Sequence, residues 1–332
     1  MKLNPLQMPP VATKFWPFGG GLDLVTPPLE MGPGFLRSGT NVEIGINGGY
    51  ARCGGYERYS GKSRPSDAAY AILTCTITGV VAVGDVLQDD ATTSYGTVIA
   101  LPSGQAVLTL ITGTFSTGNI KVSGVVVGTC VGAQSTGSAS TSALNATYLN
   151  LAADVYRALI AVVPGSGSIL GIHQYNDHVY AFRNNAGGTA AVMHVDSASG
   201  WNEVALGREI SFTSGGTYTM AVGDTITGAT SGATAVLTKV ILSSGSYAGG
   251  DAAGRLFFAS QTGTFQSENL NVGANSNVST IAGNSAAITL SPSGRYEFDN
   301  WNFGGASGTT KMYGADGVNK GFEFDGSTFV KI

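Results

Sequence analysis

Charge is scarce in this chain of 332 residues. Only 11% of it is Asp, Glu, Lys or Arg, and the Glu-, Lys- and Leu-rich make-up of a helical enzyme is missing. Cysteine occurs three times, as Cys53, Cys75 and Cys130, with no CxxC spacing. Three cysteines cannot all pair within one chain, which argues against both a secreted disulfide scaffold and a zinc site. Cys75 and Cys130 bracket one repeat and could sit on adjacent strands, with a buried, reduced thiol as the expected state. No run is long and apolar enough to span a membrane. Met1 to Gly20 holds Pro5, Pro9, Pro10 and Pro17 but no apolar h-region, so the expectation is a chain made and folded in a cytoplasm. A basic surplus is absent too. Residues 1–66 hold seven Lys/Arg against four Asp/Glu, or +3, and the rest ten against seventeen, or −7. An acidic body lacks the footprint of a nucleic-acid binder, although it suits a wall past which a polyanion must slide.

Catalytic constellations are equally sparse. His173, His178 and His194 fall in one short region, and strand alternation could bring His173 near His194. No Asp, Glu or Cys stands at ligand spacing beside them, so ordinary structural histidines are expected and no metal site is assigned. Asp89-Asp90, Asp85 and Asp224 lack the register of a calcium loop and follow turn residues, where a carboxylate serves its own backbone. Glu297, Asp299, Glu323 and Asp325 alternate with aromatics, as outer-face residues of strands do. Gly32-Pro33-Gly34 lacks the Lys-Ser/Thr end of a phosphate loop, and no nucleophile elbow is present. No enzyme activity and no cofactor is therefore assigned. Trp16, Trp201 and Trp301 could stack sugars, yet core or sheet cover is the commoner use of Trp in a β-protein.

What the chain has in abundance is glycine, 49 residues, and short alternating runs. ILGIHQY, HVYAFRN, TAAVMHVD and WNEVAL, from Ile169 to Leu206, are separated by Asn176-Asp177, Asn185 to Gly188 and Ser197 to Gly200. That is a four-stranded meander joined by tight turns. Its Gly200-Trp201 step matches a propeller blade, in which an aromatic on the outer strand covers the neighbouring blade. Arg295 to Phe303, Thr309 to Gly314, Lys320 to Phe324 and Phe329 to Ile332 repeat the pattern. Between and before these lies a duplication: Ala82-Val83-Gly84-Asp85 recurs as Ala221-Val222-Gly223-Asp224, and Thr112 to Phe115 (TGTF) as Thr262 to Phe265. Phe115 and Phe265 are expected in the core. The copy spanning 209–282 is longer by a Gly/Ser/Ala-rich loop, Ser243 to Gly254.

The expected fold is all-β: incomplete β-propeller-like blades, two inserted small β-sandwich or barrel modules, an extended N-terminal arm and one main helix. The divisions are an arm with a hairpin (1–66), a first module (67–133), a linker and helix (134–168), a first blade (169–208), a second module (209–285) and a second blade (286–332). In the arm, Asn41 to Ile46 and Tyr50 to Tyr59 read as strands around Asn47-Gly48-Gly49, while Pro27-Pro28 and Gly32-Pro33-Gly34 forbid a helix. The helix is expected to be capped by Ser142 and ended by Pro164-Gly165. Leu144, Tyr148, Leu151, Tyr156, Leu159 and Val163 would share one face, packed on its own domain or on another subunit.

The arm also carries a resemblance. Gly20-Gly21-Leu22, Thr26-Pro27-Pro28, Pro33-Gly34, Asn41, Gly48-Gly49-Tyr50, Arg52 and Gly55-Tyr56-Glu57-Arg58 follow the order found in the N-terminal segment of tail nozzle proteins, or tail tubular proteins, of short-tailed bacteriophages. The likeness continues in Tyr156-Arg157 to Gly165, Val179 to Arg183, Gly200-Trp201, Thr227 to Ala233 (TGATSGA) and Met312-Tyr313 to Asp325-Gly326. It implies a structural virion protein made in the host bacterial cytoplasm. Such a protein is a subunit of a hexameric ring below the portal and its adaptor, the head-to-tail connector, beside fibre, spike or needle proteins. Phage DNA would pass through it without sequence-specific binding. Such proteins generally carry more propeller than the two blades read here. The arm would strap onto a neighbouring subunit by adding extended backbone to a sheet edge, with Phe18, Leu22, Leu24, Pro27, Pro28, Arg37, Tyr50, Arg52, Tyr56 and Arg58 as candidate intersubunit contacts. The alternative is a glycan-binding adhesin, which would need exposed aromatics on matching faces of both modules.

Overall fold

The computed structural model describes residues 20–39, 42–44, 50–52, 55–131, 134–136, 139–306 and 308–332. These belong to two compact units, Met1–Glu57 and Arg58–Ile332, so the first boundary falls ahead of the expected residue 66. In the first unit β1 (Gly21–Leu22) pairs in parallel with β2 (Phe35–Leu36). β3 (Val42–Ile44) and β4 (Tyr50–Arg52) form the expected antiparallel hairpin, with Ile44 opposite Tyr50; its Asn47-Gly49 turn lies outside the described residues. The second strand is shorter than its pattern suggests, since Gly55 to Tyr59 is not strand. Gly55 offers no side chain to pack on a sheet face.

The second unit begins with a closed barrel. β5 (Tyr70–Ile77), β6 (Val86–Asp89), β7 (Tyr95–Ala100), β8 (Gln105–Thr112), β9 (Gly118–Val122) and β10 (Val125–Cys130) run in the order β10-β9-β6-β7-β8-β5, and β10 pairs back onto β5. A seventh strand, β11 (Ser135–Thr136), adds to β5. Closure leaves none of the six as an edge strand, and Leu73, Leu87, Val98, Leu108 and Phe115 fill the interior. Helix α1 (Ser142–Leu159) lies outside it, burying Tyr148 and Ala152 against Tyr70, Ile72, Ile99 and Val107. Two expectations are corrected here. The cap is Thr141, whose hydroxyl accepts from Leu144 N at 3.2 Å, because Ser142 has already turned helical. The helix also stops at Leu159, so Val163 lies beyond its face. The buried stripe is Leu144, Tyr148, Leu151, Ala152 and Val155, and the helix packs on its own unit.

Next comes the first meander, β12 (Ser166–Tyr175), β13 (His178–Asn184), β14 (Ala191–Val195) and β15 (Asn202–Glu203), ordered as the sequence pattern requires. Asn176 and Asp177 take φ of 48° and 60°, the left-handed conformation that a two-residue hairpin turn demands. The chain then enters a nine-stranded curled sheet: β16 (Arg208–Gly215), β17 (Thr225–Gly228), β18 (Thr234–Val236), β19 (Lys239–Ser244), β20 (Ala252–Phe258), β21 (Gln261–Thr262), β22 (Ser267–Val272), β23 (Asn275–Ala282) and β24 (Ala286–Ala287). It closes with the second meander, β25 (Glu297–Trp301), β26 (Lys311–Ala315), β27 (Phe322–Phe324) and β28 (Phe329–Lys331).

The duplication read from two tetrapeptides extends to individual hydrogen bonds. Gly84 N donates to Val98 O and Val98 N to Asp85 O, at 2.9 and 2.8 Å; in the second copy Gly223 N donates to Leu237 O and Leu237 N to Asp224 O, at 2.8 and 2.9 Å. Asp85 and Asp224 each accept from the alanine three residues earlier at 2.8 Å, serving their own turns as expected. Phe115 and Phe265 are both in the core. The copies differ in closure. The single strand β7 of the first is broken in the second into β18, which pairs with β17, and β19, which pairs with β20. The first module is therefore a closed six-stranded barrel and the second a half-barrel.

The two meanders share one core although the whole second module separates them in sequence. Tyr175, Tyr180, Phe182 and Met193 of the first pack with Tyr296, Met312, Phe322, Phe324 and Phe329 of the second. Their first strands lie side by side: Tyr296 N donates to Leu170 O, Asn300 Nδ2 to Gln174 O, and His173 Nε2 to Asn300 Oδ1, each at 2.9 Å.

Candidate functional site

Apolar side chains facing water form the largest unexplained feature of the first unit. Its loop from Gly20 to Leu36 is pinned at both ends: Gly20 N donates to Gly34 O, and Asp23 N to Leu36 O, both at 2.9 Å. The ring of Phe35 lies so close over Gly20 that a Cβ there would come within 2.7 Å of it. The Asp23 carboxylate turns the chain by accepting from Val25 N and Thr26 N at 3.0 and 2.9 Å. The fixed loop holds Leu24 at 74%, Val25 at 92% and Leu29 at 100% exposure. Of the candidate contact residues, Leu22, Leu24, Pro27 and Pro28 are thus brought onto one loop, all exposed, with Arg37 just past it. Tyr50 and Arg52 lie on β4. Tyr56 is exposed, Arg58 begins the second unit, and Phe18 lies outside the described residues.

A second exposed apolar surface sits on the last meander. Trp301, Phe303, Tyr313, Ile332 and Asp299 line an open hollow of about 570 Å³. Trp301 is 54% exposed, which corrects its expected place as core or cover. Its ring meets Phe303 edge-on at 6.2 Å, and Phe303 meets Tyr313 at 5.2 Å. Such edge-to-face rings offer crevices more than the flat shelf on which a sugar stacks.

Behind the first meander lies a polar cluster that no sequence motif announced. Asp196 is buried, and accepts from the Tyr59 hydroxyl, from His178 Nδ1 at 2.9 Å and from Val179 N at 3.1 Å. Burial works against its charge, but these donors hold the carboxyl below its usual value. The bond to Asp196, then burial, pushes the Tyr59 phenol up to about 12. Trp201 packs edge-on against Tyr59 at 6.2 Å, in place of the neighbouring-blade face expected for it. Gly61 completes the fit: a Cβ there would lie 2.4 Å from Ser197 O, and its φ is +84°. The Tyr59-Ser60-Gly61 stretch is thus read by the structure as a plug on the first meander. Tyr59→Phe should lower the unfolding free energy by about 1–2 kcal/mol, the worth of a hydrogen bond to a buried carboxylate, as measured by urea titration. An unchanged midpoint would mean that the hydroxyl is idle.

The TGATSGA motif also acquires a role. Glu268 of β22 reaches into this loop and accepts from Thr230 N, Ser231 N, Ser231 Oγ and Gln266 N at 2.7, 2.8, 2.6 and 3.1 Å. Burial opposes the charge, yet these donors pull the carboxyl down to about 2. The first module solves the same problem with the residues exchanged. Asp89 N donates to Ser94 O as Gly228 N donates to Ala233 O, and Asp89 supplies its own carboxylate to Thr93 N and Ser94 N at 2.8 and 3.1 Å. Gly118 then stands where Glu268 does, three residues after the matching Phe.

Neither the histidines nor the other carboxylates form a reaction centre. His173 and Tyr180 are register partners, as are Ala181 and His194, so His173 and His194 point to opposite faces of the sheet. Among the described residues no group of three or more His, Cys, Asp or Glu could hold a metal ion. Glu323 is paired with Lys311 and Lys239 at 2.9 and 3.2 Å. Against burial, these lysines hold it below its usual value, the opposite of what a general acid needs. Asp325 accepts from Ser327 N and Thr328 N at 2.9 and 2.7 Å. Comparison with family models, with curated proteins and with solved structures found no match.

Proposed function

We propose that the chain is a structural subunit of a bacteriophage tail nozzle, assembling into a six-fold ring below the head-to-tail connector through which DNA leaves. The observation that carries this reading is the pinned arm loop with Leu24, Val25 and Leu29 almost wholly in water. Three apolar side chains held in water on one fixed loop are what an intersubunit contact looks like before assembly. The family resemblance of the same stretch names the assembly. The two meanders, with adjoining first strands and a common aromatic core, are read as two propeller-like blades. The sparse charge suits a wall that releases DNA. Rings of this kind close through heterologous contacts, one surface of a subunit meeting a different surface of the next. Tail fibres, spikes or a needle would then attach to the ring, which would reside in the virion after synthesis in the host cytoplasm. The adhesin reading loses its matched aromatics, because Phe115 and Phe265 are both buried.

The test is native mass spectrometry of the purified protein together with electron microscopy of tails. Six copies in a ring on the tail axis are expected. Leu24→Asp with Leu29→Asp should convert that ring to monomers with an unchanged circular dichroism spectrum, since neither side chain supports the fold. A monomer at every concentration that is absent from the tail axis would overturn the proposal.

A further inference from the structure

The first barrel closes where β10 pairs with β5, and this seam sets Cys130 directly opposite Cys75. The two form a non-hydrogen-bonded pair. Val131 N donates to Thr74 O at 3.0 Å, while Cys75 N points away from the seam to Gly104 O, also at 3.0 Å. Residues so paired have Cα atoms about 4.5 Å apart, inside the range of roughly 4.4–6.8 Å that a disulfide spans. Both are thiols, both are buried, and both belong to the barrel core. Burial, followed by the neighbouring Cys130, pushes the Cys75 thiol up, so its thiolate forms less readily than that of a free cysteine.

The sister module shows that the fold does not ask for sulfur here. Gly79 N donates to Val127 O, and Gly216 N to Val278 O, which aligns Cys75 with Phe212 and Cys130 with Ile281. Phe212 and Ile281 are likewise register partners, and both are core residues. Where one copy fills the seam with a large apolar pair, the other places two facing thiols. On its other side Cys130 is the register partner of Gly118. Both thiols are enclosed, Cys75 at 1% and Cys130 at 2% exposure, so only a small oxidant can reach them.

We propose that Cys75 and Cys130 form an oxidation site, at which a peroxide converts the facing thiols into an intrachain disulfide that locks β5 to β10 and closes the barrel covalently. One thiolate attacks the peroxide O–O bond, giving a sulfenic acid and one water. The second thiol then displaces the sulfenic oxygen as a second water, forming the S–S bond. Two thiols and one hydrogen peroxide thus give one disulfide and two waters. The site is independent of the proposed tail role.

The experiment uses the full chain carrying Cys53→Ser, treated in its native state with hydrogen peroxide, then denatured, alkylated and weighed. The intact mass should fall by two hydrogens, with neither remaining cysteine alkylated and the peptides bearing Cys75 and Cys130 linked. The unfolding midpoint should rise by roughly 5–10 °C, as for a loop of this length, and dithiothreitol should reverse both changes. Cys75→Ser, or Cys130→Ala should the first not fold, should abolish the linkage and the shift. Alkylation of both thiols after native peroxide treatment would overturn the proposal, as would gain of oxygen without linkage or linkage between chains.

Discussion

Glu268→Gln should lower stability by about 3 kcal/mol at neutral pH and by progressively less in acid. Four donors converge on the two oxygens of Glu268, and an amide keeps only one acceptor while turning an NH₂ group towards N–H donors. The folded carboxyl ionises near 2 and an unperturbed one near 4.5, a difference equivalent to about 3 kcal/mol. Because the folded value is the lower, this contribution is complete above the unfolded value and disappears as pH falls through the folded one. Urea unfolding at a series of pH values should therefore show wild type and variant converging between about pH 5 and pH 2. A gap that stays constant over that window would mean that the misdirected NH₂ group, not the lost charge, accounts for the loss. The sister module offers a stricter check. Gly228→Asp combined with Glu268→Gly copies the Asp89/Gly118 arrangement, and should recover much of what Glu268→Gly alone loses.

That pair of carboxylates shows where the sequence is readable and where it is not. The repeated Ala-Val-Gly-Asp and Thr-Gly-Thr-Phe segments revealed the duplication because turn chemistry is local: a glycine with positive φ and an aspartate serving its own backbone recur at fixed spacing. The Asn176-Asp177 hairpin, the strands of both meanders and the helix were legible for the same reason, since alternation and helical periodicity need no partner from elsewhere. Carboxylate exchange between Asp89 and Glu268 was not legible, because the loop and its charge come from different strands and the substituting residue is glycine. Tyr59 was likewise hidden. Its partner Asp196 is 137 residues away, and the pattern around Tyr59 reads as a strand continuing from Tyr50, whereas the structure holds Gly55 to Tyr59 outside any strand. Exposure was the third blind spot. Trp301 lies two residues after Asp299, so alternation places it with Glu297 and Asp299 on the outer face of β25; the expectation of core or cover followed its residue type and not its position. The break of β7 into β18 and β19 escaped for a different reason: closure of a barrel depends on strand pairing around the whole ring.

Phe182→Ala should cost about 3–5 kcal/mol, because a fully buried aromatic ring leaves a cavity that the neighbours cannot fill. Phe182 sits on β13 of the first meander, and its ring stacks on Tyr296 at 4.2 Å and lies 5.4 and 5.8 Å from Phe298 and Phe322 of the second. The sheets are kept this close by glycine. A Cβ on Gly171 would lie 2.6 Å from Tyr296 Cβ, while within the second meander one on Gly314 would lie 2.5 Å from the ring of its register partner Phe322. Both meanders therefore depend on contacts across the second module, and neither has a core of its own to fall back on. Loss of the ring should destabilise them together: near-ultraviolet circular dichroism from the Tyr296 and Tyr175 environments and urea unfolding should shift as one transition. Gly171→Val should act in the same direction by prising the sheets apart. If Phe182→Ala costs less than about 1 kcal/mol, or if the aromatic signals of the second meander survive it unshifted, each meander stands alone. The proposed ring could not then rely on this pair as a single rigid wedge.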